Sequence, residues 1–152
     1  MNLNYFLLLH VLSVVVWVGG MFFAYMALRP AAATTLEPPQ RLTLWSATFG
    51  KFFPWVWASV ALILATGVHM FMKLGGMAAP HYVLSMFALG VVMILIYAHV
   101  FFAPTKKLQR AVAQQDWKAG GAALAQIRRL IGVNLVLGLV TIMVVFVGRA
   151  ML

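Results

Sequence analysis

Four long apolar runs, none containing Asp, Glu, Lys or Arg, constrain this chain more than any other feature. They occupy residues 5–28, 52–72, 82–103 and 130–147. A helix needs about 20 residues to cross the ~30 Å hydrocarbon core of a bilayer. Because backbone polar groups in lipid must be hydrogen-bonded within their own segment, each run is predicted to be a helix. The sequence therefore predicts an all-α polytopic membrane protein, a four-transmembrane-helix bundle that forms one domain over residues 1–152.

The composition supports a lipid partner and excludes several cofactor classes. The chain is 64% hydrophobic and only 9% charged, whereas a soluble domain is about 25% charged. It has no cysteine, which excludes disulfides, iron–sulfur clusters, c-type haem attachment and thiolate metal sites. The net charge of +9 is explained by basic loops beside a membrane, so no nucleic-acid partner is predicted.

The basic residues are distributed unequally between the loops. The first loop holds three Lys and Arg side chains and residues 105–129 hold six, whereas only Lys73 and Arg149 lie on the opposite side. Loops rich in Lys and Arg stay in the cytoplasm. The distribution predicts a bacterial inner-membrane protein whose termini and second loop are periplasmic.

Helix-ending residues follow the runs and suggest a short additional helix. Arg29-Pro30 is predicted to end the first helix, because proline disrupts a helix interior. Residues 105–129 are amphipathic and charged, with two glycines at Gly120-Gly121. We therefore expect a short cytoplasmic amphipathic helix before the last span, with a break at the glycine pair.

Ionisable groups inside membrane spans are costly and are functional candidates by default. With the predicted topology, His10 lies about two turns below the outer surface and His69 about one turn below it, so both lie in the outer half of the membrane. His81 begins the third helix on the same side. His99 lies about 27 Å deeper at 1.5 Å per residue, so we expect a structural role for it, such as a hydrogen bond to Asn134.

Two imidazoles at one depth on facing helices match the axial ligands of a b-type haem (heme b). Trp17 follows His10 at i+7 on the same helix face, and the small residues 65–67 precede His69 and leave room for a flat ring. Lys73 lies at the outer boundary, where a haem propionate needs a cation. The cofactor-binding prediction is therefore His10, His69, Lys73 and Trp17.

Copper is the alternative cofactor. Thioether sulfur and imidazole are ligands that suit Cu(I). Met72 follows His69 at i+3, whereas Met70 points about 100° away on a helix. The copper alternative uses the following residues near the periplasmic face: His10, His69, Met72, Met77 and His81. A third possibility is a structural subunit without a cofactor, whose histidines only bridge helices.

Two stretches resemble a known family. Residues 10–20 read HVLSVVVWVGG and follow the pattern H-x6-W-x-G-G, and the third run ends in Tyr97-Ala-His99 before a basic segment. The chain thereby resembles the CopD copper-resistance domain and the related HemJ-type protoporphyrinogen oxidases. The resemblance implies copper uptake across the inner membrane in the first case and haem-dependent oxidation in the second. The resemblance also implies that His10 corresponds to the histidine that these families have in their first helix.

One departure from these families affects the ligand set. Both place a lysine in the third helix, but residues 82–103 contain none, so His69 would have to take its place as second ligand. The leading hypothesis is a CopD/HemJ-like protein that uses haem for electron transfer or oxidation, as a membrane oxidoreductase with a redox partner in the membrane or periplasm. The alternative is a copper-binding or copper-transport protein. Small residues such as Gly132 and Gly138 permit a homodimer.

Overall fold

The computed structural model of the protein describes residues 2–151, and the elements it contains are helical. They are α1 (Leu3–Phe23), a π-helical segment (Ala24–Leu28), α2 (Arg29–Thr35), α3 (Pro38–Lys73), a 3₁₀ turn (Gly76–Ala78), α4 (His81–Phe102), α5 (Pro104–Ala113) and α6 (Trp117–Ala150).

Four continuous helical stretches within residues 2–151 are long and apolar enough to cross a membrane: Leu3–Thr35, Pro38–Lys73, His81–Ala113 and Trp117–Ala150. The predicted all-helical four-span bundle is confirmed. Each stretch is longer than its apolar run. At 1.5 Å per residue, the 36 residues of α3 extend about 54 Å, well beyond the hydrocarbon thickness.

The additional helical length lies at one end of the bundle. This end, formed by residues 29–51 and 103–129, carries nine of the eleven Lys and Arg side chains, and we call it the basic end. The opposite end carries the turn at residues 74–80, and we call it the turn end. The short amphipathic helix predicted before the last span is α5, at the basic end.

The first helix does not end at Arg29-Pro30, so that prediction is wrong. The chain passes through the π-helical segment and remains helical to Thr35. Pro30 has no N–H, and its ring would collide with the carbonyl of Met26 in a regular α-helix. The wider π turn directly before the proline relieves this collision and allows the helix to continue.

The predicted break at Gly120-Gly121 is also wrong. The chain breaks earlier, at residues 114–116, where Gln115 has a φ of 56°. Asp116 then begins α6 by accepting a hydrogen bond from the Ala119 N–H at 3.2 Å. Gly120 is buried inside α6, and a Cβ there would lie 3.2 Å from Leu42 Cδ1. The glycine therefore allows close helix packing instead of ending a helix.

The core forms where α1 packs against α3 and α4 packs against α6, and α5 also packs against α6. An aromatic cluster occupies its centre. Tyr97 of α4 donates a hydrogen bond to the Phe53 carbonyl of α3 at 3.2 Å, and the Trp17 ring of α1 meets the Tyr97 ring edge-on at 5.9 Å. These contacts join three spans at one level.

Asn134 has a different partner from the one predicted. Its side-chain amide donates to the Met93 carbonyl at 3.1 Å, whereas His99 is exposed on α4. The predicted hydrogen bond between His99 and Asn134 is therefore wrong. Lipid-facing and core-facing positions of this helix are both apolar, so the sequence did not indicate the direction of His99.

The two glycines that we expected to permit a dimer pack within the chain instead. A Cβ on Gly132 would lie 2.9 Å from Cε2 of Tyr25, and one on Gly138 would lie 3.0 Å from Cγ2 of Val18. Both positions allow α6 to approach the first helix closely. They are therefore not free faces for a second copy.

Candidate metal site

The first candidate ligand lies where α1 crosses α3, towards the turn end. Nδ1 of His10 is 3.0 Å from Oγ1 of Thr66, a side chain that is buried. The Thr66 hydroxyl also lies within hydrogen-bonding distance of the Leu62 carbonyl one turn earlier. When the hydroxyl donates its proton to that carbonyl, it accepts from Nδ1 of His10, and Nε2 keeps its lone pair. This is the tautomer that binds a metal through Nε2.

Gly67 makes this approach possible. A Cβ at residue 67 would lie 3.3 Å from Cε1 of His10, which is tighter than an ordinary van der Waals contact. Without a side chain there, the imidazole of His10 lies against the backbone of α3. A single glycine thus sets how closely the ring and the facing helix pack.

The second candidate ligand, His69, occupies the next turn of the same interface. Its ring stacks on Phe6 of α1, with the centroids 4.0 Å apart and the planes at 20°. Phe6 precedes His10 by one turn, and His69 follows Thr66 by one turn, a rise of about 5 Å. The two histidines are therefore successive layers of one contact between α1 and α3.

This packing does not support the haem hypothesis. Each imidazole rests on the opposite helix, His10 on Thr66 and Gly67, and His69 on Phe6. Side chains that fill the interface in this way leave no slot for a porphyrin between α1 and α3.

The other two residues of the predicted haem site lie away from the histidines. Trp17 is two turns deeper than His10, buried against Tyr97. Lys73 is the exposed last residue of α3. The structure does not bring the four predicted haem-site residues together.

The residues of the copper alternative fall into two groups. His10 and His69 lie in the α1–α3 interface, whereas Met72 is 69% exposed, Met77 is 82% exposed and His81 is exposed beside the turn at residues 74–80. The second group therefore lies at the surface of the turn end, and the first lies below it.

Sequence reasoning did not select Met70. This residue is buried, with 8% of its surface exposed, whereas Met72 points outward. Thr66 and Met70 are four residues apart, so they share the inward face of α3. The i, i+4 spacing from Thr66 to Met70 could have indicated that Met70 faces inward. Because every side of the helix is apolar, the buried face could not be recognised from the sequence.

Among the residues that the structure describes, no group of three or more His, Asp or Glu side chains could hold a metal ion. Carboxylate-rich sites for hard ions are thus not formed there. The donors present towards the turn end are imidazole nitrogen and thioether sulfur, the set that favours Cu(I) over Mg²⁺ or Ca²⁺.

One comparison with known proteins gives a match. A family model described as CopD, Copper resistance protein D, matches residues 46–147, about two thirds of the chain. Neither the curated proteins nor the solved structures give a match. The matched range includes α4 and most of α3 and α6, with His69 and His81, whereas His10 precedes it. The relation to HemJ-type oxidases stays a prediction.

Proposed function

The chain belongs to the copper resistance protein D (CopD) family, and from this premise we propose that it binds copper in the membrane and passes the ion along. His10 and His69 are the proposed inner ligands. The observation that carries the proposal is the contact of His10 with Thr66, because it holds the imidazole in place and is compatible with the tautomer whose Nε2 can bind a metal.

The two groups of candidate ligands suggest an order of contact. Met77, Met72 and His81 are exposed at the turn end, so a Cu(I) ion arriving from that side meets them first. His69 and then His10 lie successively deeper in the α1–α3 interface. Exchange between soft ligands of similar type moves an ion without requiring full rehydration. In this proposal copper is the cargo, and no residue undergoes a covalent reaction.

The proposed orientation follows from charge. The basic end holds nine of the eleven Lys and Arg side chains and is placed in the cytoplasm by the positive-inside rule. The turn end, with its methionines and histidines, is then periplasmic. We propose the bacterial inner membrane as the location on this ground.

Cu(I) affinity tests the proposal. Detergent-purified protein is titrated against a chromophoric Cu(I) chelator, and the wild type is compared with His10→Ala, His69→Ala and the control His99→Ala. His99 is exposed on α4, so His99→Ala removes one imidazole from the protein and leaves the proposed site unchanged. We expect tight binding by the wild type and the control, and at least tenfold weaker binding by the other two variants.

Three results would contradict this function. The first is a purified protein that binds no Cu(I), and the second is an equal loss of Cu(I) affinity in all three variants. The third is a Soret absorption band that disappears in His10→Ala, since this would restore the haem hypothesis. Both readouts come from the same preparation, so each outcome is decisive.

A further inference from the structure

A cavity of about 310 Å³ lies at the basic end, lined by residues of the π-helical segment, α2, α3 and α6. It lies at the opposite end of the bundle from His10, His69 and His81 and plays no part in the copper proposal. Three arginines line it, each from a different helix: Arg29 from α2, Arg41 from α3 and Arg128 from α6.

The chain supplies little negative charge to balance these arginines. It has only two acidic side chains, Glu37 and Asp116. Asp116 caps the first turn of α6, and neither acid lines the cavity. Three arginines that line one cavity without a carboxylate are complementary to an anion from outside the chain. Guanidinium binds phosphate with two parallel hydrogen bonds, so a phosphate group is the best match.

Aromatic side chains hold the cavity walls in position. Arg29 lies over the ring of Tyr25, 4.7 Å from its centroid, an interaction that restricts where the guanidinium can point. Trp45 is buried, and Trp117 closes the side formed by α6. At least one arginine is thus positioned before a ligand arrives, which lowers the entropic cost of binding.

The local backbone is also shaped around this cavity. Tyr25 belongs to the π-helical segment, which alters the direction of the helix just before Arg29. Gly132 leaves the space that the Tyr25 ring occupies, because a Cβ there would lie 2.9 Å from it. Single π turns inside α-helices occur often at functional sites. Here the π turn and the glycine together place Tyr25 and Arg29 at the cavity.

We propose that this cavity binds the phosphate headgroup of an anionic phospholipid. The arginines face the phosphate, while apolar side chains such as Phe49, Leu124 and Ile131 line the same cavity and suit the glycerol and first methylenes. Ligand pockets begin at about 300 Å³, so the cavity fits a headgroup and not a whole lipid. Basic pockets between helices at the cytoplasmic membrane surface are typical lipid headgroup sites.

Neighbouring arginines on α6 provide a matched test. Arg128 and Arg129 are both exposed, but only Arg128 lines the cavity. Thermal unfolding of the detergent-purified full chain is measured with short-chain phosphatidylglycerol, short-chain phosphatidylcholine or inorganic phosphate. The proteins are the wild type, Arg41→Gln, Arg128→Gln and Arg129→Gln.

We expect phosphatidylglycerol to raise the Tm of the wild type and Arg129→Gln with the same saturable dose dependence. Each cavity variant should need about fivefold more lipid, the effect of one basic residue near an anionic lipid surface. Phosphatidylcholine should give no saturable shift in any protein.

Three results would overturn the proposal: equal stabilisation by phosphatidylcholine, equal weakening in Arg129→Gln, or a variant-dependent shift with inorganic phosphate alone. The last result would assign the cavity to free phosphate. The comparison of the two lipids on the wild type needs no variant, so a poorly folded variant does not leave the question open. Cu(I) affinity should be unchanged in Arg128→Gln, which separates this proposal from the copper proposal.

Discussion

His10 of α1 and Thr66 of α3 are joined by a 3.0 Å contact between Nδ1 and Oγ1, and the threonine hydroxyl is at the same time bound to the Leu62 carbonyl. The pair therefore orients the imidazole and joins two spans. This relationship lets the copper proposal be tested at a residue that is not itself a ligand.

Replacing Thr66 with valine should weaken Cu(I) binding about tenfold, since loss of a residue that orients a metal ligand costs 10- to 100-fold in affinity. Valine keeps the shape but cannot accept the hydrogen bond from Nδ1. Thr66→Ser is the matched control and should retain near-normal affinity. Chelator competition measures both; equal affinity in Thr66→Val and wild type would show that His10 needs no such orientation.

Asn134 should be intolerant of charge but tolerant of an apolar replacement. Its Oδ1 is buried without a hydrogen-bond partner among residues 2–151, so an aspartate there would place a carboxylate without compensation. We expect Asn134→Asp to lower stability by about 3 kcal/mol or more, and Asn134→Leu to change it by about 1 kcal/mol. Thermal unfolding in detergent ranks the two, and a milder effect for aspartate would contradict this account.

Gly138 should resist enlargement, because a Cβ there would lie 3.0 Å from Val18 and 3.2 Å from Met93. Gly138→Val should destabilise the protein by about 1–3 kcal/mol through overpacking. Gly90 has no atom within 4 Å of its Cβ position, so Gly90→Val serves as the control. Similar melting temperatures for both variants would be inconsistent with the packing of α1 against α6 described above.

The hydroxyl and the ring of Tyr97 should each make a separate contribution to the stability of the protein. Tyr97→Phe removes only the hydrogen bond to the Phe53 carbonyl and should cost about 1 kcal/mol. Tyr97→Ala also removes the ring at the centre of the aromatic cluster and should cost about 3–5 kcal/mol. Equal losses in the two variants, measured by thermal unfolding, would argue against the cluster as the main source of stability here.

The absence of cysteine from the chain makes topology directly testable. Met77→Cys introduces a thiol at an 82% exposed position of the turn end, and Lys118→Cys introduces one at an exposed position of the basic end. In intact bacterial cells an impermeant maleimide should label Cys at 77 but not at 118 without membrane disruption. The opposite pattern would reverse the proposed orientation.

The sequence identified the all-helical fold and the four apolar spans because length, lack of charge and the need to satisfy the backbone in lipid act within one segment. The predictions that failed concern where helices end, because a helix end depends on how neighbouring residues pack. Gly120 suggested a break, yet Leu42 packs close to it. Pro30 suggested a helix end, yet a π-helical segment accommodates it.

The sequence did not indicate which side chains of a span point into the core and which point towards lipid. In a soluble helix one apolar stripe marks the buried face, but in these spans the lipid-facing and core-facing sides are both apolar. Met70 and Met72 therefore looked equivalent until packing buried one and exposed the other.

The sequence by itself determined four apolar helices long enough to cross a membrane, a strongly basic end and the position of each histidine along its helix, since these follow from composition and 1.5 Å of rise per residue. Only the tertiary structure decided that His10 meets Thr66 and that three arginines share one cavity. The reason is physical: such contacts depend on how helices rotate and approach one another, and small residues such as Gly67 and Gly132 set that approach.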